Sequence, residues 1–177
     1  MGNFKYPNIY RIENSICYID CFNIRGDLAG TITIDSEDID KVNIYQWHIE
    51  KSHSNIKYAQ AILPNKKTLR MHKLLLPNSI QVDHINNNGL DNRKCNLRSC
   101  NNAENNRNKN FQRNPVSGYT GIRYNPKANS YYVRIMVNKK EISLGHYKDL
   151  DDAISARKAG EEKYFGEFKY LNDAEIC

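Results

Sequence analysis

Apolar and polar positions change over in short bursts along the first seventy residues. Ile16 to Phe22, Thr31 to Ile34 and Tyr58 to Leu63 are β-type runs, separated by Gly26, Gly30 and the polar stretch Ser52 to Asn55. Between them, Ser36 to Trp47 predicts a short helix. Ser36 suits its cap, and Glu37, Asp38 and Asp40 suit the positive end of its dipole. Trp47 is assigned to the core.

A different rhythm begins beyond Gly118. Gly121 to Asn125, Tyr131 to Asn138 and Glu141 to Tyr147 predict three strands, with turns at Asn125-Pro126 and Asn138-Lys139-Lys140. In the second strand Tyr131, Val133, Ile135 and Val137 alternate with Tyr132, Arg134, Met136 and Asn138, giving one apolar face. A helix over Asp149 to Phe165 follows. Its stripe of Leu150, Ala153, Ile154, Arg157 and Tyr164 can pack on that face, and Gly166 ends it.

The middle of the chain is less regular. Thr68 to Leu76 mixes apolar and basic residues and stops at Pro77, Ile80 to Ile85 reads as a strand, and Asn86 to Gly89 as a turn. Asn101 followed three residues later by Glu104 has the form of a capping box, which puts a helix at about 102 to 110. Asn105 then lies in its first full turn. The resulting organisation is α+β: a small β-rich N-terminal region (1–67), a central module (68–114), a linker (115–118), and a C-terminal three-stranded sheet packed on one helix (119–171).

Composition narrows the partners. The 177 residues are 40% hydrophobic, enough for several thin cores. Net charge is +6 but unevenly spread: residues 104–140 hold eight Lys or Arg against one acidic residue, whereas the last 37 hold five against nine. A basic block flanked by near-neutral sequence is an electrostatic footprint for a polyanion. The N-terminus has no signal-peptide h-region, and no apolar run reaches the ~20 residues of a membrane span, so a soluble, cytoplasmic protein is expected. Five cysteines form an odd set: Cys17 and Cys21 enclose three residues, Cys95 and Cys100 four. These spacings depart from zinc-binding C-x2-C pairs, so free buried thiols are expected and structural zinc is not.

The chemistry is concentrated in Val82-Asp83-His84-Ile85-Asn86, Asp91-Asn92-Arg93, Asn96-Leu97-Arg98 and Asn105. Cutting a nucleic-acid backbone requires a water to be deprotonated, an anionic phosphate to be approached and a leaving oxygen to be stabilised. A hard divalent ion on oxygen ligands serves the last two needs, and a neutral histidine with a pKa near ~6.5 serves the first. Asp83 and His84, adjacent on a strand, point to opposite sides unless the strand ends there. Asp91, Asn92 and Arg93 are expected to hold the loop, with Arg93 or Arg98 reaching phosphate. His72 is assigned to a supporting strand.

The string VDHINNNGLDNRKCNLR, preceded by MHKLLLPN and followed by NNAENNRN, resembles the HNH endonucleases of phage and intron homing type, in the branch whose third motif residue is Asn. The resemblance implies a ββα-metal motif around one divalent ion, Mg2+ or Mn2+. It further implies Asp83 as a metal ligand, His84 as general base, Asn96 orienting the histidine and its loop, and Asn105 as second metal ligand. The zinc-binding C-x2-C pairs of many such proteins are missing, so packing by Leu74, Leu75, Leu76, Ile80, Val82, Leu90 and Leu97 is expected to stabilise the module. The segment GYTGIRYNPKANSYYVRIMVNKKEISLGHYKDLDDAISARKAGEEKYFGEF resembles the APETALA2-type DNA-binding domain. That resemblance implies a sheet face contacting DNA through Arg123, Asn125, Tyr132, Arg134 and Ser143, with Lys139 and Lys140 at phosphate; Arg107 joins them from the basic block. The expected function is a site-preferring nickase of double-stranded DNA, monomeric on its substrate, with a catalytically inactive DNA-binding regulator as the alternative.

Overall fold

A two-residue rhythm of burial runs through Ile16 to Phe22, where Cys17, Ile19 and Cys21 are fully enclosed. Such a rhythm makes a strand with one face in a core. The structure, a computed structural model, describes residues 6–51, 56–107 and 117–169. In it this strand is the centre of an antiparallel meander of β1 (Ile9–Glu13), β2 (Ile16–Phe22) and β3 (Leu28–Asp35). The β1–β2 hairpin turns on Asn14 and Ser15, both at positive φ, a two-residue connection that matches strand twist.

After β3 the helix predicted over Ser36 to Trp47 shrinks to a 3-10 turn (Ser36–Asp38) and α1 (Ile39–Val42). Ser36 is not its cap: Asp35 holds that position and makes no side-chain cap bond. The chain turns back at Asn43 to Gln46, so Trp47 opens a strand instead. There it is 1% exposed and donates its indole N–H to the Val42 carbonyl at 2.8 Å. The second sheet contains β4 (Trp47–Lys51), β5 (Lys57–Ile62) and β6 (Thr68–Arg70), in that order. Next come α2 (Met71–Leu75) and an antiparallel pair, β7 (Gln81–His84) with β8 (Leu97–Cys100).

One core joins these pieces. Cys17, Ile19, Ile32 and Ile34 from the first sheet meet Trp47, Ala59 and Ala61 from the second, Met71 and Leu75 from α2, and Leu97 from β8. The boundary expected at 67/68 therefore does not exist: β6 completes a sheet begun upstream, and α2 closes the same core. Leu74, Leu76, Val82 and Leu90 pack against it as expected, whereas Ile80 is 87% exposed. Cys17, Cys21 and Cys100 are buried thiols outside any disulfide, and burial pushes Cys21 up to about 12, whereas Cys95, expected as a free thiol, is disulfide-bonded.

The described residues divide into two units, one ending at Asn101 and one beginning at Asn102. The second contains α3 (Asn102–Arg107), β9 (Ile122–Asn125), β10 (Ser130–Val137), β11 (Lys140–Tyr147) and α4 (Leu150–Phe165). Of the helix expected at 102–110, residues 108–110 lie outside the described residues, as do Pro115 and Val116 of the expected linker. Ser117 is no linker: it is 7% exposed and donates its hydroxyl to the Ile122 carbonyl at 2.6 Å.

In the sheet, ordered β11-β10-β9, Val133 and Ile135 are fully buried while Arg134 and Met136 are exposed. Asn138 and Lys139 both adopt positive φ in the β10–β11 turn. Asp149 caps α4 by accepting from Asp151 N at 2.7 Å and Asp152 N at 3.3 Å, and Gly166 closes it. The helix stripe includes an ion pair that the pattern concealed: Arg157 donates Nε to Glu161 at 2.7 Å with both side chains 9% exposed. Arg157 also reaches the Arg134 carbonyl, and Gly121 makes this possible, because a Cβ there would lie 2.4 Å from Arg157 Nη1. No helix among the described residues is long and apolar enough to cross a membrane.

Candidate active site

Strand β7 ends at His84, and its pairing with β8 determines what its last two residues touch. Asp83 lies opposite Arg98 and His84 opposite Leu97. Cross-strand neighbours share a face, so Asp83 meets a guanidinium. Arg98 donates Nε at 3.0 Å and Nη2 at 2.7 Å, both to Asp83 Oδ2. Asp83 is 5% exposed and Oδ1 takes no hydrogen bond among the described residues.

His84, also 5% exposed, faces a different set of groups. Its ring meets His72 edge-on, with centroids 5.1 Å apart at 84°, and Tyr58 at 5.9 Å. Tyr58 and His72 are themselves 5.9 Å apart, and Arg70 lies over the Tyr58 ring at 5.1 Å. His72 therefore belongs to α2, not to a strand, and packs directly on the predicted base. On the other side, His84 Nε2 is 3.3 Å from Asn92 Oδ1. An amide oxygen can only accept, so this contact favours the ring state with the proton on Nε2 and the lone pair on Nδ1.

Burial pushes the His84 pKa below the ordinary histidine value, opposed first by the Asn92 bond and then by the charges of Asp83 and Asp91. His72 is pushed down to about 3, by burial first and then by His84, Arg70 and Lys73. Both rings are neutral at neutral pH.

The loop from Ile85 to Asn96 is fixed by side chains. Asn96, fully buried, accepts from Asn86 N at 3.0 Å through Oδ1 and donates Nδ2 to the Asp91 carbonyl at 2.7 Å. It thus orders the loop as expected, but the group on the histidine ring is Asn92. Asp91 receives Arg93 Nε at 2.8 Å and Nη2 at 2.7 Å, plus Asn86 Nδ2 at 3.1 Å. Gly89 lets this loop lie on β5, since a Cβ would come within 2.3 Å of the Lys57 carbonyl and 2.6 Å of the Tyr58 ring. Asn92 is completely buried, yet its Nδ2 has no partner among the described residues. Leaving such a donor unmet costs about 1–3 kcal/mol.

The expected site residues are thus distributed as follows. Asp83, His84 and Asn96 share the β7–β8 pair and its loop, while Asn105 is half-buried on α3 and belongs to the second unit. Arg93 and Arg98 are tied to Asp91 and Asp83, and Arg70 is exposed. Sequence reading gave Asn92 only a loop role and His72 only a supporting strand, and it assigned no role to Tyr58 or Arg70. The His84 to Asn92 pairing spans eight residues with no fixed period, so no local signal carried it. Arg98 was findable, because a hairpin joining the two strands puts it opposite Asp83.

The donor chemistry fits one hard divalent cation. Asp83 offers Oδ1, a hard oxygen donor, while Arg98 secures Oδ2. Among the described residues no three His, Cys, Asp or Glu side chains cluster to hold a metal ion.

In the second unit, a concavity of about 680 Å³ on the outer sheet face is lined by Arg123, Tyr124, Asn125, Pro126, Tyr132, Ser143 and His146. Tyr132 and His146 are cross-strand partners with ring centroids 4.9 Å apart. Arg134 is paired to Glu141, whose carboxyl it and Tyr132 hold below the usual range. Asn125 Oδ1 accepts from Lys127 N at 3.1 Å, while Arg123, Lys139 and Lys140 are exposed and Arg107 ends α3. Comparison of the chain with protein-family models, curated proteins and solved structures found no match.

Proposed function

We propose that this chain is an HNH-type, metal-dependent endonuclease that hydrolyses phosphodiester bonds in duplex DNA, nicking one strand per active site. The observation that carries the reading is a neutral, buried histidine at a strand end, held at Nε2 by an asparagine and directly preceded by a carboxylate. General-base catalysis needs this combination: an unprotonated ring, one nitrogen committed to a fixed partner, and the other basic.

In this reading His84 takes a proton from water at Nδ1. Asn96 and the Asp91–Arg93 pair keep the loop, and with it the strand end, in one geometry. Asp83 Oδ1 would be an oxygen ligand to the cation, and the Asn105 amide oxygen is the second ligand that the resemblance implies. A bound divalent ion supplies Lewis-acid stabilisation of the phosphate and of the departing 3′ oxygen. Arg98 keeps Asp83 oriented. Arg70, exposed and over the Tyr58 ring that packs on His84, is assigned to phosphate. The second unit holds the duplex with Arg123, Tyr132, Lys139 and Lys140.

One observation favours the alternative of a DNA-binding protein without activity: the Asp83–Arg98 pair is also what a purely structural buried ion pair looks like. Incubation of supercoiled plasmid with the protein in Mg2+ and in EDTA separates the two. Nicked circles in Mg2+ alone, abolished in Asp83→Ala and Asn105→Ala, are expected; intact plasmid in both conditions would leave only the binding protein.

A further inference from the structure

We propose that Asn92 is the positioning residue for His84, and that strand β3 of the N-terminal sheet sets Asn92. The inference rests on the reading of His84 as the base. It assigns the N-terminal region a part in the chemistry: it determines which ring nitrogen is basic.

Two backbone hydrogen bonds hold residues 90 to 92 along β3: Thr33 N donates to the Leu90 carbonyl at 2.9 Å and Asn92 N donates to the Thr33 carbonyl at 2.7 Å, which together make the parallel bridge between Thr33 and Asp91. Thr33 is itself paired to Tyr18 within the first sheet, so the loop is docked on a preformed strand. Asn96 holds the same segment from the opposite direction through the Asp91 carbonyl. These bonds hold the Asn92 backbone in place, with its side-chain oxygen 3.3 Å from the ring.

The rings of His72 and Tyr58 limit how far His84 can tilt, but aromatic packing tolerates exchange of ring carbons for nitrogens. A hydrogen-bond acceptor does not. Asn92 Oδ1, 3.3 Å from the ring nitrogen, favours the ring state with a proton on Nε2.

The test reads the ring directly, by long-range 15N–1H correlation at His84 in the full-length protein at neutral pH, beside steady-state cleavage. Wild type is expected to show the proton on Nε2. Asn92→Leu, similar in volume, should lose that preference and lower kcat about 100-fold or more, with KM nearly unchanged. Asn92→Asp, which keeps an acceptor oxygen, should restore the Nε2–H ring. A wild-type ring protonated on Nδ1, or an unchanged ring in folded Asn92→Leu, overturns the proposal. Should Asn92→Leu fail to fold, the wild-type spectrum still decides. Because the spectrum needs no turnover, an Nε2–H ring in a protein that never cleaves DNA would sink the nuclease reading while leaving the Asn92–His84 device standing.

Discussion

The two units solve opposite problems with polar residues. The first turns them inward around one loop: Asp83, Asp91, His84 and Asn92 are buried, and Arg98 and Arg93, which pair with the two carboxylates, are partly buried. The second keeps its polar residues on the outer sheet face, where Arg123, Tyr132 and His146 line an open concavity, and buries one ion pair, Arg157 with Glu161, under that sheet. An inward network fixes geometry for chemistry, whereas an outward face offers charge and aromatic surface to a partner. Substitutions should therefore cost stability in the first unit and affinity in the second.

The largest effect is expected at Arg98. Arg98→Leu leaves Asp83 buried without its cation, and removing one partner of a buried pair costs about 3–5 kcal/mol. Urea unfolding should show this as a lower midpoint with an unchanged slope. An equal midpoint would mean that the pair is solvated and that Asp83 needs no support.

The buried histidines give the first unit a pH signature. His72 is held at about 3 in the folded chain, below the ~6.5 of an unfolded histidine. The unfolded chain alone takes up this proton as pH falls, so stability is full above ~6.5 and declines from there down to about 3, by up to about 1.4 kcal/mol per pH unit. His72→Phe should flatten that slope in unfolding curves taken across the range; an unaltered slope would place the linkage elsewhere.

The smallest effect is on DNA affinity and separates two arginines of the same sheet. Arg123→Ala should weaken duplex binding and make the salt dependence shallower by about 0.9, the increment for a single phosphate that the protein no longer neutralises. Arg134, engaged by Glu141, should matter less. Equal effects of the two substitutions, measured by fluorescence anisotropy over a salt series, would show that the Glu141 pair opens on DNA.

Legibility in the sequence followed the range of the interactions. The strands of the second unit lie within a residue of expectation because their alternation and the Asn138-Lys139 turn are local. In the first unit β1, β4 and β6 escaped notice. β1 has an almost wholly exposed pattern, and β4 and β6 form only by pairing with β5. The spacing of Asp83, His84 and Asn96 was readable because the motif is compact. Asn92 was not, since its position depends on Thr33, which is remote in sequence. The separate nuclease module expected from residue 68 onward fails for the same reason: its core is completed by residues from the first sixty.

The central claim, that His84 is the base of a DNA-cleaving site, is tested most directly by His84→Ala, with plasmid cleavage in Mg2+ and duplex binding measured on one preparation. A loss of cleavage of about 100-fold or more with binding unchanged is the predicted result; cleavage at the wild-type rate by the folded variant would contradict the claim.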